Sequence, residues 1–558
     1  MIIQPIIDLV SLCAQKGIKN AILSPGSRCA PLSLAFVRHP EIHARTISDE
    51  RSAAFIALGM AQQIEKPVVL VCTSGSAAYN YAPAIAEAYF QHIPLVVITA
   101  DRPPEWIDQW DGQTIRQTEI FGKHVKGFFA FPDEFGHPDK QWYAQRLVNE
   151  AINTASQFPA GPVHINVPLR EPFYPEMDEV FDFSEKIKCI EPLKGITHLS
   201  ENIKQELSDS LLSKRRILIV PGQQRPNTKI QQILDEIAKE GKALVVTDTI
   251  SNLQSELTVN LHDHFIGNNH VNQDLQPDLI ISFGKSIISK ELKLFLRKSK
   301  AEHWHIQQGG YSPDPFQSLE KIIECPPISF LQFLKENAET DLNYTQSWLT
   351  LEKSVKSNLN HILESAEFGE YKALNTCLKL IPVHSKIHLS NSMAVRYVNF
   401  LGRREQEIIC NRGTSGIDGS NSTAVGCTFT MKDPVTLITG DMAFFYDRNA
   451  FWHNYPINTL RIILLNNHAG GIFRLIEGPA RQPELEEFFE TRQNLNASNL
   501  AKDFGFEYHL AKDESSLDYG LKNFFDKSLQ PKILEIESHS PDNSRILKIL
   551  KEKISLAI

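Results

Sequence analysis

Residues 437–473 have the sequence LITGDMAFFYDRNAFWHNYPINTLRIILLNNHAGGIF, in which two apolar runs flank a longer mixed segment. The apolar residues before Gly440 and the run 460–465 are rich in Leu and Ile, which is typical of strands buried on both faces of a parallel sheet. Residues 447–455 between them are predicted to form a helix. The order strand, helix, strand predicts a βαβ unit, whose two strands run parallel and end at the same edge of the sheet.

Polar residues follow both predicted strands at that edge. Asp441 comes directly after the first strand, and Asn466 and Asn467 come after the second. A carboxylate and an amide should therefore converge just beyond the sheet, and such hard oxygen ligands suit Mg²⁺. The Gly470 and Gly471 pair would let the backbone approach a diphosphate closely. The alternative is an ordinary βαβ unit with an Asp in a turn and an Asn that caps a helix.

Composition and charge bound the class of protein. A chain of 558 residues is long enough for about three to four domains. Its 42% hydrophobic and 22% charged residues are ordinary values for a globular protein. The net charge of −9, without a long Lys/Arg run, argues against a nucleic-acid partner.

The compartment is predicted from the N-terminus and the cysteines. The opening MIIQPIIDLV lacks a basic region and carries Asp8, which is unlike a signal peptide. Apolar runs are too short to span a membrane, so we expect no membrane segment. Eight scattered cysteines without a CxxC pair predict a reducing compartment. We therefore expect a large cytoplasmic α/β protein.

The first 183 residues repeat a strand, a small-residue turn and a helix four times, which is the doubly wound α/β pattern. Ser27 and Arg28 lie in such a turn, where a helix begins and anions bind well. Plain turn chemistry is the alternative for both. Glu50 stands at a similar junction, and its simplest role there is a charge that interacts with the helix dipole.

Several motifs in this order and spacing resemble one enzyme family. They are SPGSR (24–28), SDERSAAFIALGMA (48–61), TSGSAAYNYAPAIAEAYF (73–90), ITADRPPE (98–105), QTIRQ (113–117) and NRGTSGIDG (411–419), together with Gly-Asp at 440–441 and Asn-Asn at 466–467. They resemble the menaquinone-pathway synthases of 2-succinyl-5-enolpyruvyl-6-hydroxy-3-cyclohexene-1-carboxylate (SEPHCHC), which are thiamin-diphosphate enzymes that join 2-oxoglutarate to isochorismate. The resemblance covers both ends of the chain and, more weakly, its middle. Met442 stands where the thiamin-diphosphate motif usually has Gly.

The resemblance implies an α/β fold with three doubly wound parallel-sheet domains of the thiamin-diphosphate enzyme type. These are a pyrimidine-binding domain at 1–183, a central structural domain at 184–345 and a diphosphate-binding domain at 346–558. The family forms each site between the first domain of one subunit and the third domain of another, so a homodimer or homotetramer is expected. Residues 345–385 are polar and helical in pattern and contain no candidate site residue.

The resemblance also implies the cofactors, thiamin diphosphate with Mg²⁺ or Mn²⁺, and the residues that hold them. The implied metal ligands are Asp441, Asn467 and the backbone carbonyl of Ala469. The implied cofactor contacts are Glu50, Ser392, Gly416, Ile417, Asp418, Gly440, Ala443 and Ile472. Glu50 would hydrogen-bond the pyrimidine ring nitrogen, and Gln113 would orient the substrate or a water.

The implied substrate contacts are Ser27, Arg28, Arg102, Lys290, Ser392, Arg396, Arg412, Phe473 and Ile476. Both substrates are dianions, so the negative net charge must be reversed locally, and the planar fork of arginine grips a carboxylate in two places. A core role fits Ile472, Phe473 and Ile476 nearly as well. Lys290 is followed by Glu291 where the family has a second basic residue, so a solvated helix face is its alternative role.

The expected activity is decarboxylation of 2-oxoglutarate and addition of the remaining succinyl carbanion to isochorismate. The nearest alternative is a thiamin-diphosphate enzyme of the acetohydroxyacid-synthase or pyruvate-oxidase type, which acts on small 2-oxo acids. A catalytically inactive scaffold is the alternative from another class. Retention of Glu50, Asp441 and Asn467 together argues against that scaffold.

Overall fold

The computed structural model describes residues 4–177, 179–183, 186–195, 197–267 and 274–557. It contains three parallel β-sheets with flanking helices, which confirms the predicted α/β class. The predicted domain boundary after residue 183 adjoins residues 184 and 185, which lie outside the described residues. Among the described helices, none combines the length and apolar character that crossing a membrane requires.

The first sheet has six strands in the order β2-β1-β3-β4-β6-β5, and every neighbouring pair is parallel. Its strands are β1 (Asn20–Leu23), β2 (His43–Thr46), β3 (Val68–Cys72), β4 (Leu95–Asp101), β5 (Phe128–Ala130) and β6 (Val163–Pro168). Because β1 and β3 are parallel, the turns that follow them lie at the same edge of the sheet, and the strand order changes direction between these two strands.

The second sheet has five strands in the order β11-β10-β9-β7-β8, again all parallel. Its strands are β7 (Ile217–Pro221), β8 (Leu244–Val245), β9 (Leu279–Phe283), β10 (Glu302–Gln307) and β11 (Leu319–Glu324).

The third sheet has six strands in the order β13-β12-β14-β15-β17-β16. Its strands are β12 (Lys386–Leu389), β13 (Glu407–Cys410), β14 (Val435–Gly440), β15 (Leu460–Asn466), β16 (Glu507–Ala511) and β17 (Lys532–Glu537). The two strands predicted around Gly440 and at 460–465 are β14 and β15, which are adjacent in this sheet.

Helices connect and cover these strands. The longer ones are α1 (Gln4–Gln15), α2 (Ala30–Arg38), α3 (Glu50–Ile64), α5 (Ala82–Gln91), α6 (Pro138–Ser156), α7 (Glu201–Leu211), α8 (Thr228–Lys239), α9 (Lys290–Lys298), α10 (Pro327–Asn337), α11 (Leu342–Glu364), α12 (Glu370–Leu380), α13 (Met393–Phe400), α14 (Ser420–Thr428), α18 (Glu514–Leu521) and α19 (Ser540–Leu556). The short ones are α4 (Ser76–Asn80), α15 (Asp441–Tyr446), α16 (Glu477–Ala480) and α17 (Ser498–Asp503).

The chain folds into two compact units, and each is described below by itself. Unit 1 comprises Met1–Lys194, Asn411–Val435 and Ala443–Leu460, and unit 2 comprises Gly195–Cys410, Thr436–Met442 and Arg461–Ile558. The division into three domains therefore stays a prediction, although each sheet lies within one of the three predicted ranges.

The cores explain why the strand sequences are apolar without alternation. In β7, Ile217 and Ile219 pack into one hydrophobic cluster of unit 2, whereas Leu218 and Val220 pack into another. Successive side chains of a strand point to opposite faces, so a sheet covered on both faces buries every position. Full burial of each such side chain contributes roughly 1.5–3 kcal/mol.

The helix predicted at 447–455 is wrong. Instead, α15 begins at Asp441, directly after β14, and a 3₁₀ turn follows at Arg448–Phe451. The Asp447 side chain is buried and accepts hydrogen bonds from the N–H and the hydroxyl of Ser422, both at 2.7 Å. This bonding to a residue distant in sequence holds Asp447 outside a regular helix, with φ −103° and ψ 28°.

A buried histidine gives unit 1 a pH-dependent stability. Nε2 of His164 lies 2.7 Å from Oγ1 of Thr99, whose hydroxyl donates to Asn166 Oδ1 at 2.8 Å. His164 Nε2 therefore carries the proton, and Nδ1 is buried with no hydrogen-bond partner within the described part of the chain. Burial lowers the pKa of His164 to about 3.

We predict that the free energy of unfolding falls as the pH drops from about 6.5 towards 3. Below pH ~6.5 the unfolded histidine binds a proton that the folded one does not, which costs up to about 1.4 kcal/mol per pH unit. His164→Gln keeps a donor to Thr99 and should flatten this slope in urea unfolding at pH 7, 6 and 5. Substitution of the exposed His198 by Gln is the control. An unchanged slope in His164→Gln would contradict the prediction.

Candidate active site

Asp441 lies at the carboxyl end of β14 in unit 2 and is almost fully buried. Its Oδ2 accepts a hydrogen bond from Gln493 Nε2 at 2.7 Å, and its carboxylate also accepts from the main-chain N–H of Ala469. Burial raises the pKa of Asp441 to about 6, with these hydrogen bonds opposing the shift. The site thus holds an acidic group that lacks full solvation by water.

Asn467 brings its amide oxygen to the same place. Its Oδ1 accepts from the N–H of Ala469 at 3.1 Å, and its Nδ2 donates to Glu370 Oε1 at 2.7 Å. Because the Ala469 N–H is within reach of both Asp441 and Asn467, the two side-chain oxygens converge beyond β14 and β15 as the βαβ pattern predicts. The preceding Asn466 instead donates to Glu535 at 2.6 Å and is buried.

The glycine turn after Asn467 leaves room at this site. A Cβ at Gly471 would lie 3.1 Å from Asn467 Nδ2, closer than most neighbours tolerate. Ile472 packs against the hydrophobic core of unit 2, and the ring of Phe473 lies 5.9 Å from that of Phe489. Ile476 is 40% exposed. Ile472 therefore uses part of its surface in core packing and is half-buried, and Phe473 and Ile476 remain candidates for a pocket wall.

The turn after β12 adjoins the same edge. The N–H of Gly440 donates to Ser390 Oγ at 3.2 Å, and the N–H of Ser390 donates to the Ile438 carbonyl. Ser392 follows with a positive φ of 72°, and Arg396 Nη1 donates to the Ser392 carbonyl at 2.6 Å. Unit 2 thus brings Ser392 and Gly440 to neighbouring turns, with Arg396 tied to the first.

Lys290 also belongs to unit 2, but it lies about 100 residues before these turns in the sequence. It is the first residue of α9 and is exposed, as is Glu291 beside it. Its position agrees with the alternative role, a solvated helix face.

Glu50 begins α3 in unit 1, and both of its neighbours are anchored. Asp49 caps the helix through Ser52 N–H and also accepts from Asn449 Nδ2 at 2.7 Å. Arg51 donates to the Tyr446 carbonyl at 2.9 Å. Glu50 itself is half-buried, and its charge adds to burial in raising the pKa of Cys72. The backbone around this carboxylate is therefore fixed before any ligand binds.

Ser27 and Arg28 differ in their exposure to solvent. Ser27 is exposed, whereas Arg28 is buried and donates to the Leu169 carbonyl at 2.6 Å. The Arg28 guanidinium also lies 4.8 Å from the ring centroid of Phe173. Its Nε has no hydrogen-bond partner among the described residues, so this N–H is available to a ligand.

Arg102 is tied to the loop that carries Gln113. Its Nε lies 2.8 Å from Asp111 Oδ2, and it also donates to the Gly112 carbonyl. A substrate carboxylate at Arg102 would therefore compete with Asp111. Gln113 itself is exposed and has a positive φ of 56°.

Gln117 holds the far end of this loop against the first sheet. Its Oε1 accepts from the N–H of Gly75 at 2.8 Å, and its Nε2 donates to Asn166 Oδ1 at 2.9 Å. Gly75 has a φ of 90°, and a Cβ there would lie 3.3 Å from the Gln113 carbonyl oxygen. The small-residue turn after β3 is therefore needed for the loop to close over it.

The NRGTSGIDG loop is held by a buried carboxylate that sequence analysis missed. Glu87 on α5 is fully buried and accepts from the N–H of Gly413 at 2.8 Å and of Thr414 at 2.6 Å. The Thr414 hydroxyl donates to the same group at 2.7 Å. The only sequence signal was one acidic residue in an Ala-rich helix. This tether fixes the backbone beside Arg412, which is half-buried.

The remaining predicted cofactor contacts in unit 1 lie in this loop or after it in the sequence. Gly416 and Ile417 are half-buried, and a Cβ at Gly416 would collide with Asp418 Oδ1. Burial raises the pKa of Asp418, and Ala443 is buried in α15.

Comparison with known proteins places this geometry in a family. The model described as thiamine pyrophosphate enzyme, N-terminal TPP binding domain, matches residues 8–120, and the model described as middle domain of thiamine pyrophosphate matches residues 192–389. A SEPHCHC synthase of Cytophaga hutchinsonii is 46% identical over 99% of both chains. Those of Christiangramia forsetii and Bacteroides fragilis are 40% and 34% identical over 97% of both chains.

The chain belongs to the SEPHCHC synthase family. It is accordingly an enzyme that uses thiamin diphosphate, which agrees with the resemblance found in its motifs.

The residues present fit a divalent metal of the kind this cofactor needs. The donor set at the third sheet comprises a carboxylate from Asp441, an amide oxygen from Asn467 and the carbonyl of Ala469. Hard oxygen donors of this kind suit Mg²⁺ or Mn²⁺. The Ala469 carbonyl already accepts from Gly471 N–H at 2.9 Å, and its second lone pair can serve a cation. Burial of the Asp441 charge also favours a bound cation.

We predict that Asp441→Asn weakens thiamin diphosphate binding, with partial rescue by high Mg²⁺, because it removes a charged ligand. The melting temperature of the protein without cofactor should stay the same or rise, since a buried charge is lost. Calorimetric titration with thiamin diphosphate at low and high Mg²⁺ measures the first effect. Unchanged cofactor affinity would contradict the assignment of Asp441.

Proposed function

We propose that the enzyme decarboxylates 2-oxoglutarate and adds the remaining succinyl unit to isochorismate, giving SEPHCHC and CO₂. The observation that carries this proposal is the full-length similarity to synthases of that name, at 46% identity over 99% of the chain. The oxygen donors that converge at Ala469 support it, because the chemistry needs an anchored diphosphate. Thiamin diphosphate, when bound, supplies a nucleophilic carbon and takes up the electron pair released on decarboxylation.

The proposed metal is Mg²⁺ or Mn²⁺, held by Asp441, Asn467 and the Ala469 carbonyl. Its role is to neutralise the negative charge of a diphosphate, which would otherwise lie beside the buried carboxylate of Asp441. Residues proposed to contact the cofactor are Ser392, Gly416, Ile417, Asp418, Gly440, Ala443 and Ile472. Their support is the resemblance of their motifs and, for Ser392 and Gly440, their neighbouring turns.

Glu50 is proposed to share a proton with a ring nitrogen of the cofactor through one carboxylate oxygen. Two anchored neighbours fix its backbone, Asp49 through Asn449 and Arg51 through the Tyr446 carbonyl. Partial burial strengthens such a charge-assisted hydrogen bond relative to one in water. Gln113 is proposed to orient the substrate or a water.

Arginines are proposed to receive the substrate carboxylates. Arg396 and Arg412 are half-buried and follow β12 and β13, on the side where the strands of the third sheet end. The Nε of Arg28 offers a donor, and Arg102 would exchange Asp111 for a substrate carboxylate. Ser27, Phe473 and Ile476 complete the proposed substrate contacts, and Lys290 is the least supported because it starts an exposed helix.

The proposed state of the enzyme in the cell is a cytoplasmic homodimer or homotetramer. Support for assembly comes from the resemblance, since that family completes each site with a second subunit. Sedimentation velocity on the purified protein distinguishes these states from a monomer.

The test of the reaction is incubation with thiamin diphosphate, Mg²⁺, 2-oxoglutarate and isochorismate, following the loss of isochorismate absorbance. Omission of each component in turn should abolish the change. Replacement of 2-oxoglutarate by pyruvate should strongly reduce it. A protein that prefers pyruvate would instead be a carboligase of small 2-oxo acids, and one inactive with every donor would be a scaffold.

We predict that Glu50→Gln binds thiamin diphosphate but turns over at least about 10²-fold more slowly, the range typical of lost acid–base assistance. The amide keeps the size of the side chain but cannot hold the proton in the same way. Exchange of the cofactor C2 proton, measured by NMR in deuterated buffer, should slow in parallel. An unaltered exchange rate would reject this role for Glu50.

We predict that Arg412→Ala lowers kcat/KM for 2-oxoglutarate by about 10- to 150-fold, since a hydrogen bond to a charged group contributes roughly 1.5–3 kcal/mol. The loss for pyruvate should be far smaller, because pyruvate has no distal carboxylate. Thiamin diphosphate affinity should change little.

Glu87→Gln is the matched control for Arg412→Ala. It loosens the same loop by replacing an acceptor of two N–H groups, so it should lower the melting temperature and damage both donors equally. Equal damage to both donors by Arg412→Ala would mean that Arg412 only supports the loop.

A further inference from the structure

Glu370 is a buried acid in a region whose sequence contains no candidate site residue. It is the first residue of α12 and is 1% exposed. Its carboxylate accepts hydrogen bonds from Asn467 Nδ2 at 2.7 Å and from the hydroxyl of Tyr397. The other side of the same Asn467 amide, its oxygen, accepts from the N–H of Ala469, and so does the Asp441 carboxylate.

The chemistry of the pair determines which way the Asn467 amide faces. The oxygen and nitrogen of an amide are nearly the same size, so packing alone does not distinguish the two orientations. An ionised carboxylate only accepts hydrogen bonds, so the NH₂ of Asn467 must face Glu370. The amide oxygen then faces the opposite way, towards Ala469 N–H at 3.1 Å. In the flipped orientation the NH₂ would face a cation, which an N–H group repels.

Three consecutive hydrogen bonds connect the start of α12 to the end of β15. The N–H of Glu370 donates to Asn543 Oδ1 at 3.1 Å, and Asn543 Nδ2 donates to Ser538 Oγ at 2.8 Å. The N–H of Ser538 donates to the Asn466 carbonyl at 2.9 Å. The start of α12 is thereby connected to the residue that precedes Asn467, independently of the Glu370 carboxylate.

We propose that Glu370 is a positioning residue, which orients the amide of Asn467 so that its oxygen faces a divalent metal. This inference rests on the proposed function, in which Asn467 is a metal ligand. Partners that orient metal ligands in this way are typically worth 10- to 100-fold in metal affinity. A buried acid with a merely structural role would affect stability but not the identity of the atom offered to the metal.

Binding of Mn²⁺ at saturating thiamin diphosphate and pH 8 tests the proposal. The EPR signal of free Mn²⁺ reports binding without any need for turnover. Glu370→Met removes the acceptor and should weaken Mn²⁺ binding about tenfold or more. Glu370→Gln should keep most of the affinity, because its Oε1 still accepts from Asn467. Equal affinity in Glu370→Met and wild type would overturn the proposal.

A second background separates orientation from stability. Asn467→Asp has two equivalent oxygens, so no neighbour is needed to choose which atom faces the metal. Gln and Met at position 370 carry the same charge and differ in whether they offer an acceptor, so their Mn²⁺ affinities should differ about tenfold with Asn467 and be nearly equal in the Asn467→Asp background. The same ratio in both backgrounds would overturn the proposal. Glu370→Ser, whose side chain is too short to reach the Asn467 amide, replaces Glu370→Met if that variant fails to fold.

Glu352 provides the matched control. It is a half-buried carboxylate of unit 2, and it accepts from the N–H groups of Asn260 at 3.0 Å and Leu261 at 2.9 Å. Glu352→Gln should lower the melting temperature and leave Mn²⁺ affinity unchanged. If it weakens Mn²⁺ binding as much as Glu370→Met does, the effect is general destabilisation and the proposal fails. A wild type that binds no Mn²⁺ would overturn the metal assignment itself, and with it the proposed function.

Discussion

The shared direction of the strands is the constraint on which the candidate residues of the first and of the third sheet depend. In a parallel sheet every strand delivers the residue that follows it to the same edge, whatever lies between the strands in sequence. In the third sheet this brings together the turn at Ser390, the Gly440–Asp441 junction and the Asn467 turn. In the first sheet it places the turn at Gly75 under the loop that carries Gln113. Local sequence needs only to supply a polar residue after each strand for such an edge to become a site.

Buried carboxylates then fix the loops at these edges. Glu87 holds the NRGTSGIDG loop, Glu370 holds Asn467, and Glu535 holds Asn466 while also accepting from Ala497 N–H and the Tyr508 hydroxyl. Burial of a charge is costly, and several N–H or O–H donors to one carboxylate offset that cost. The result is irregular backbone with few accessible conformations, which suits residues that must meet a ligand in one geometry.

Four arginines are proposed to make the site locally positive in a protein whose net charge is negative. The chain carries −9 overall, whereas the proposed substrates are dianions. The four proposed arginines are not equivalent. Arg28 is fixed by a carbonyl and an aromatic ring, and Arg102 is already paired with Asp111. Arg396 and Arg412 are half-buried, so a carboxylate bound there would be partly shielded from water, which strengthens the interaction.

The sequence by itself determined the α/β class, most strands and the convergence of Asp441 with Asn467, because apolar runs and the residues that end them are local patterns. It failed at 447–455, where Asp447 bonds to Ser422, and it did not identify a role for Glu87 or Glu370. The partners of those two acids lie 326 and 97 positions away. Periodicity encodes which face of an element is buried, but a buried polar side chain takes its partner from whichever loops the fold brings beside it. Only the tertiary structure could therefore decide which carboxylates hold the loops and which way the Asn467 amide faces.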